Sequence, residues 1–268
     1  ITYEGKWIIA NWKMNLGLIA SAKLAKILAK RYVEPGVVSR AVKRDRKIHF
    51  VVCPSHTSIL EVAKFLQKTK ISIGAQDMFW KEKGSFTGEI SPLMLTEIGC
   101  DYVIIGHSER RAYLNETDDI VNKKVKSALE YGLIPIVCVG ETAEEREKNQ
   151  SSFVVIQQLA KALENVKVTS DQLVIIAYEP IWAISHEGKG KDVEPGIAYE
   201  MHEKIANFLH DTYPKELNHN FKIIYGGSVD ADNVSQFTAV ENIDGVLVGG
   251  ASLRSKELLN IISGVRTN

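Results

Sequence analysis

Long apolar runs, an excess of one charge, paired cysteines and low-complexity tracts are all missing from this 268-residue sequence. No apolar stretch approaches the roughly 18 to 20 residues that a membrane-spanning helix needs. No signal peptide is evident, and Ile1 in place of Met suggests that the start of the chain has been trimmed. Lys plus Arg total 33 and Asp plus Glu total 33, which leaves no general attraction to nucleic acid or an anionic membrane surface. The densest basic patch, K-R-D-R-K at 43–47, is interrupted by an acid and is best taken as a solvated loop. An anionic substrate must therefore be held by local groups, because the overall field will not gather it. Three cysteines, Cys53, Cys100 and Cys138, are odd in number and lack metal-ligand spacing. They argue against a disulfide scaffold and for a reducing compartment, so a cytoplasmic location is expected.

What is present is a rhythm. Hydrophobic residues make up 45% of the chain, enough for a large core, and they recur as short branched runs each followed by a longer amphipathic stretch. The runs fall at 6–12, 47–53, 71–75, 102–106, 133–139, 173–178, 222–225 and 245–248. Helical patterns follow them at about 18–32, 55–67 with Ser55 as its N-cap, 91–99, 118–131, 142–149 with 152–164, 194–211, beyond Asp230, and 255–263. Pro135 is awkward in the fifth run, yet its neighbours favour a strand. Strand–helix pairs without an intervening linker predict an α/β fold with a parallel sheet. Eight such units in a chain of this length predict closure into a (β/α)8 barrel, with residues 1–268 as one domain. The competing architecture, a doubly wound open sheet, lacks the dinucleotide G-x-G-x-x-G it would be expected to carry.

In such a barrel, chemistry gathers at the carboxyl ends of the strands. The first strand ends in Asn11-Trp12-Lys13-Met14-Asn15. A lone Lys there is more often solvated, but flanked by two Asn and two large apolar residues this one is expected to be held. The fourth ends in Gly106-His107-Ser108-Glu109-Arg110-Arg111. A single His is more often structural than catalytic. Here Ser108 and Glu109 suit a helix start, whose positive end disfavours an imidazolium. For Arg110 and Arg111, ion pairing with the adjacent Glu109 weighs against plain surface charge. The sixth run ends at Tyr178 and is followed by Glu179 and Pro180, then an apolar Ile181–Ile184 and a tail rich in Gly, Ser and Lys: an acid at a strand exit with a lid-like loop beyond it. A structural ion pair for Glu179 is an equally open reading on that evidence alone. The seventh and eighth strands each end in Gly-Gly, at Gly226-Gly227 before Ser228 and at Gly249-Gly250. Paired glycines let an anion reach backbone N–H groups at the place where barrels bind phosphate. Together these are parts for moving a proton next to a carbonyl on a small phosphorylated substrate.

These segments also carry a resemblance. N-W-K-M-N at 11–15, G-A-Q at 74–76, F-T-G-E-I-S at 86–91, I-G-H-S-E-R-R at 105–111, C-V-G-E-T at 138–142, A-Y-E-P-I-W-A-I at 177–184, Y-G-G-S-V at 225–229 and V-G-G-A-S-L at 248–253 occur in order over essentially the whole chain. On them the sequence resembles the triose-phosphate isomerase family. The resemblance implies a TIM barrel that interconverts dihydroxyacetone phosphate and D-glyceraldehyde 3-phosphate through an enediolate, in glycolysis and gluconeogenesis. A carboxylate base beside a neutral histidine is the known pairing of that enzyme. By motif position, Glu179 is the base, His107 polarises the carbonyl, Lys13 and Asn11 bind substrate and developing charge, and Glu109 is a supporting carboxylate. Phosphate falls to the N–H groups of Ser228, Gly249, Gly250 and, from the lid, Ser185. No cofactor or metal is implied.

The resemblance further implies a homodimer through the loop 76–89, with Thr87 reaching Asn11 of the other copy. The departure from the family is in the lid. Where A-I-G-T-G-K is usual, this chain has a longer A-I-S-H-E-G-K-G-K-D-V-E-P, with Ser185 at a glycine position. A Ser donates the same N–H with less freedom to flip its peptide, so altered lid gating is expected. Two alternatives stay open on the sequence alone: another phosphate-binding barrel isomerase or lyase, and an impaired barrel kept as a binding protein.

Overall fold

The computed structural model describes residues 3–33, 48–184 and 193–266. Eight strands, β1 (Lys6–Asn11), β2 (Ile48–Cys53), β3 (Ile71–Ala75), β4 (Tyr102–Ile105), β5 (Ile134–Val139), β6 (Val174–Tyr178), β7 (Phe221–Tyr225) and β8 (Gly245–Val248), form a closed barrel in sequence order. Every neighbouring pair is parallel, and β8 closes on β1 with Ile8 opposite Val246 and Ala10 opposite Val248.

The strands are apolar throughout because both of their faces are buried. Successive side chains point to opposite faces, so each strand feeds two cores. Trp7, Ile9, Val51, Ile104, Ile136, Ile175 and Ile224 fill the barrel interior. Their sequence neighbours, Ile8, Ala10, Val52, Val103, Val137, Val174 and Ile223, face the helices outside. Each fully buried branched side chain contributes about 1.5–3 kcal/mol relative to exposure. Pro135 takes the second position of β5, paired with Val103, close to the strand's start where a missing N–H is tolerated.

The helices are α1 (Leu18–Val33), α2 (Ile59–Leu66), α3 (Pro92–Glu97), α4 (Ser108–Leu114), α5 (Asp118–Glu130), α6 (Ala143–Glu147), α7 (Ser151–Ala162), α8 (Pro195–Thr212), α9 (Val234–Thr238) and α10 (Ser255–Gly264). Their starts follow local chemistry: Ser91 caps α3 ahead of Pro92, Thr117 caps α5, and Thr142 with Glu145 forms a capping box on α6. The cap expected from Ser55 is not formed. A 3₁₀ turn, His56–Ser58, precedes α2, and the Ser55 hydroxyl lies instead against Thr57 and Ser58 oxygens, both at 3.3 Å.

Candidate active site

A cavity of about 700 Å³ opens at the carboxyl end of the barrel, and Asn11, Lys13, His107, Glu109 and Glu179 line it. Gly226, Ser228, Gly249 and Gly250 line it as well, so β1, β4, β6, β7 and β8 all deliver residues to one site. Ser185 lies outside the described residues, as do His186 and Glu187.

His107 and Glu179 face each other at the cavity floor, 5% and 2% exposed. The Glu179 carboxylate approaches His107 Nε2 at 3.1 Å and accepts the Ser108 N–H at 3.1 Å. His107 caps α4: its Nδ1 accepts the Glu109 N–H at 3.2 Å. A ring nitrogen that accepts an N–H carries no proton, so the ring proton sits on Nε2, aimed at the carboxylate. Gly226 leaves room for this arrangement, since a Cβ there would lie 2.8 Å from Glu179 Cγ. Cys138 borders the base from the barrel interior, and burial, then the Glu179 charge, pushes its thiol well above the usual range.

Lys13 is held. Its backbone adopts φ +50°, unusual for a residue with a side chain. Asn11 Oδ1 accepts the Lys13 N–H at 3.0 Å, and the Gln76 amide donates to the carbonyls of Lys13 and Cys53, each at 2.9 Å. The ammonium donates to Glu109 at 2.6 Å, so Glu109 serves Lys13. Gly249 accommodates the stem: a Cβ at that position would approach Lys13 Cε to 3.3 Å. A Cβ on Gly250 would meet nothing within 4 Å.

The arginines are the correction to the sequence reading. Arg111 bonds the carbonyls of Gly106 and Cys138 and pairs with Asp118 at 2.5 Å. Arg110 pairs with Asp77 at 2.8 Å and Glu116 at 2.5 Å, and Lys124 bridges the same two acids. Burial raises the Glu116 carboxyl, but Lys124 and Arg110 outweigh it and hold the group below its usual range. Glu116 also accepts the N–H of Gly106, the residue before His107. The sequence reading missed this cluster because Asp77 joins it from the end of β3, more than 30 residues before the others, and Glu116 and Lys124 belong to no strand-end motif. It also missed Glu141, which is fully buried and accepts from Tyr178 Oη and from Trp182 Nε1. Arg254, a further member of the cavity wall, went unread because the matching motif ends at Leu253.

The family model described as triosephosphate isomerase matches residues 6–265. The chain belongs to the triosephosphate isomerase family. It is 44% identical to the triosephosphate isomerase of Dictyoglomus turgidum over 262 residues, covering 96% of this chain and 98% of that one. Against the enzyme of Thermoanaerobacter pseudethanolicus it is 46% identical over 256 residues, again covering 96% and 98%. The crystal structure of triosephosphate isomerase from Bartonella henselae superposes with a TM-score of 0.81 at 32% identity, covering 97% of this chain and 98% of the other. The chain is thus an isomerase whose family reaction interconverts dihydroxyacetone phosphate and D-glyceraldehyde 3-phosphate, a step of glycolysis.

Proposed function

We propose that Glu179 is the base of this reaction and His107 its hydrogen-bond donor to the substrate. The observation that carries this is the buried Glu179–His107 contact, with Lys13 and the glycine turns around the same cavity. Both carboxylate oxygens are engaged before substrate arrives, one by His107 and one by the Ser108 N–H. A substrate oxygen that takes the Nε2–H of His107 releases Glu179 in the same movement. The freed carboxylate removes a proton from the hydroxyl-bearing carbon next to the carbonyl, and its protonated form returns that proton to the former carbonyl carbon. The hydroxyl proton passes to the former carbonyl oxygen, so that carbonyl and hydroxyl exchange places. Negative charge on the enediolate oxygens meets the Nε2–H and the Lys13 ammonium, with Asn11 bracing Lys13 and Glu109 releasing its ammonium as the substrate enters.

In this reading the phosphate rests on the N–H groups of Ser228, Gly249 and Gly250, and Ser185 adds one from the lid. The open space beside Gly250 supports that placement. Residues 1–268 work as one catalytic domain. Three unpaired, buried thiols support a cytoplasmic setting, which cell fractionation would check. A coupled assay with glyceraldehyde 3-phosphate tests the reading. Glu179→Asp, which draws the carboxylate back by about one bond, is expected to lose roughly 100-fold in kcat. The enediolate mimic 2-phosphoglycolate should inhibit the parent competitively. Full activity in Glu179→Asp, or no inhibition, would remove Glu179 from its role.

A further inference from the structure

Among the described residues, the walls of the cavity carry more negative than positive charge. Lys13 and Arg254 are its cations; Glu109, Glu179 and Asp230 are its acids. Most of these charges are spoken for. Lys13 and Glu109 satisfy each other at 2.6 Å. Glu179 faces His107 and Ser108. Asp230 accepts the N–H groups of Asp232 and Asn233 at 2.9 and 3.0 Å. Arg254 differs from all of them: it is exposed, and its guanidinium has no hydrogen-bond or ion-pair partner among the described residues. It stands directly after the 3₁₀ turn Gly250–Leu253, whose first residue belongs to the glycine pair proposed to receive the phosphate.

A phosphate monoester carries between one and two negative charges at neutral pH. Such a group approaching described cavity walls that carry a surplus acid is opposed by them, and a chain of zero net charge offers no compensating field. A guanidinium suits the task, since its planar fork bonds two phosphate oxygens at once and keeps its charge at any working pH. We propose that Arg254 is a substrate-binding residue of this enzyme, drawing the phosphate group of the incoming triose to the cavity mouth and bonding it from the outer side. The proposal rests on the reading that places the phosphate at Gly249 and Gly250.

The test compares kcat/KM for glyceraldehyde 3-phosphate in the parent, Arg254→Gln and Arg254→Lys at about 0.01 M and about 0.3 M ionic strength, where screening lengths are roughly 30 Å and under 10 Å. Inhibition by inorganic phosphate is measured alongside. Because the side chain is exposed, its replacement leaves the core untouched. Arg254→Gln should lower kcat/KM about 10-fold at low salt, with kcat within about twofold of the parent. The gap should narrow at high salt, inorganic phosphate should inhibit more weakly, and Arg254→Lys should recover most of the low-salt rate. Equal kcat/KM and equal salt dependence in the parent and Arg254→Gln would overturn the proposal, as would a loss confined to kcat. Gly250→Val separates this failure from failure of the phosphate placement, because its side chain occupies the space beside the turn. If Gly250→Val still binds inorganic phosphate as the parent does, the placement is wrong whatever Arg254 does.

Discussion

His202 sits on α8 with its imidazole fully buried, and burial lowers its titration to about 4. Its Nδ1–H donates to the Asn242 carbonyl at 2.9 Å, while Nε2 has no partner among the described residues. In the unfolded chain the same ring titrates near its ordinary value of about 6.5. Between those values the unfolded state holds a proton that the folded state refuses, so stability falls as pH drops from 6.5 to 4. The full difference is on the order of 3 kcal/mol. Urea unfolding across that range should show the parent losing stability more steeply than His202→Gln. Parallel slopes for the two proteins would mean His202 is not the group responsible. At this same scale, glycine placement was only half legible. Gly-Gly turns advertise an anion site, but the contacts that make Gly226 and Gly249 small are with the stems of Glu179 and Lys13. Those contacts are made between neighbouring strands of the closed barrel, β6 with β7 and β8 with β1, and only the fold brings their ends together.

The turn Ile181–Ala183 begins the connection from Glu179 toward the lid, and Glu141 anchors it from the end of β5. The Glu141 carboxylate accepts from Trp182 Nε1 at 2.8 Å and from Tyr178 Oη at 3.2 Å, its carbonyl accepts the Ile181 N–H, and Arg146 stacks over the Trp182 ring at 4.2 Å. Trp182→Phe keeps most of the ring and removes one donor to a buried charge. It should cost about 1–3 kcal/mol in chemical denaturation. A cost near zero would show that water or Arg146 replaces the indole. Element types were readable because each strand is a short branched run between turn signals and several helices begin at a capping residue, as at Ser91, Thr117 and Thr142. The Ser55 cap failed because its hydroxyl met side-chain oxygens of the following 3₁₀ turn in place of a helix N–H. The pairings of Arg110 and Arg111 were misread because adjacency in sequence favoured Glu109, whereas α4 and the segment after it bring Glu116 and Asp118 into reach.

The whole molecule presents a surface that one copy leaves open. Met14, directly after Lys13, is 97% exposed, and Ile19 on α1 is 85% exposed. The loop 76–89 carries Phe79 stacked on Trp80 at 3.9 Å and packed against Phe86 at 4.5 Å, with Phe86 itself still exposed. The root of that loop is fixed by Asp77 through Arg110 and Lys124, so the loop stands on a rigid base. We expect a second copy to cover these groups, with Thr87 brought to Asn11 of that copy. Light scattering coupled to size exclusion should return twice the chain mass at micromolar concentration, and Phe86→Asp should shift it toward the monomer with loss of activity. A parent that elutes as a fully active monomer would contradict this. Barrel closure was legible from eight repeated units, and the strand-end residues followed from where barrels do chemistry. The charge balance at the cavity mouth was not legible, because it is a sum over side chains from five strands.

In the proposed reaction Glu179 moves the proton. This is tested by incubating dihydroxyacetone phosphate in D₂O with the parent and with Glu179→Gln, and following the C1 protons by NMR. Deuterium incorporation at C1 is expected with the parent, and at a rate at least roughly 100-fold lower with Glu179→Gln, the usual scale for removing a general base. Equal incorporation by the two proteins would contradict this role.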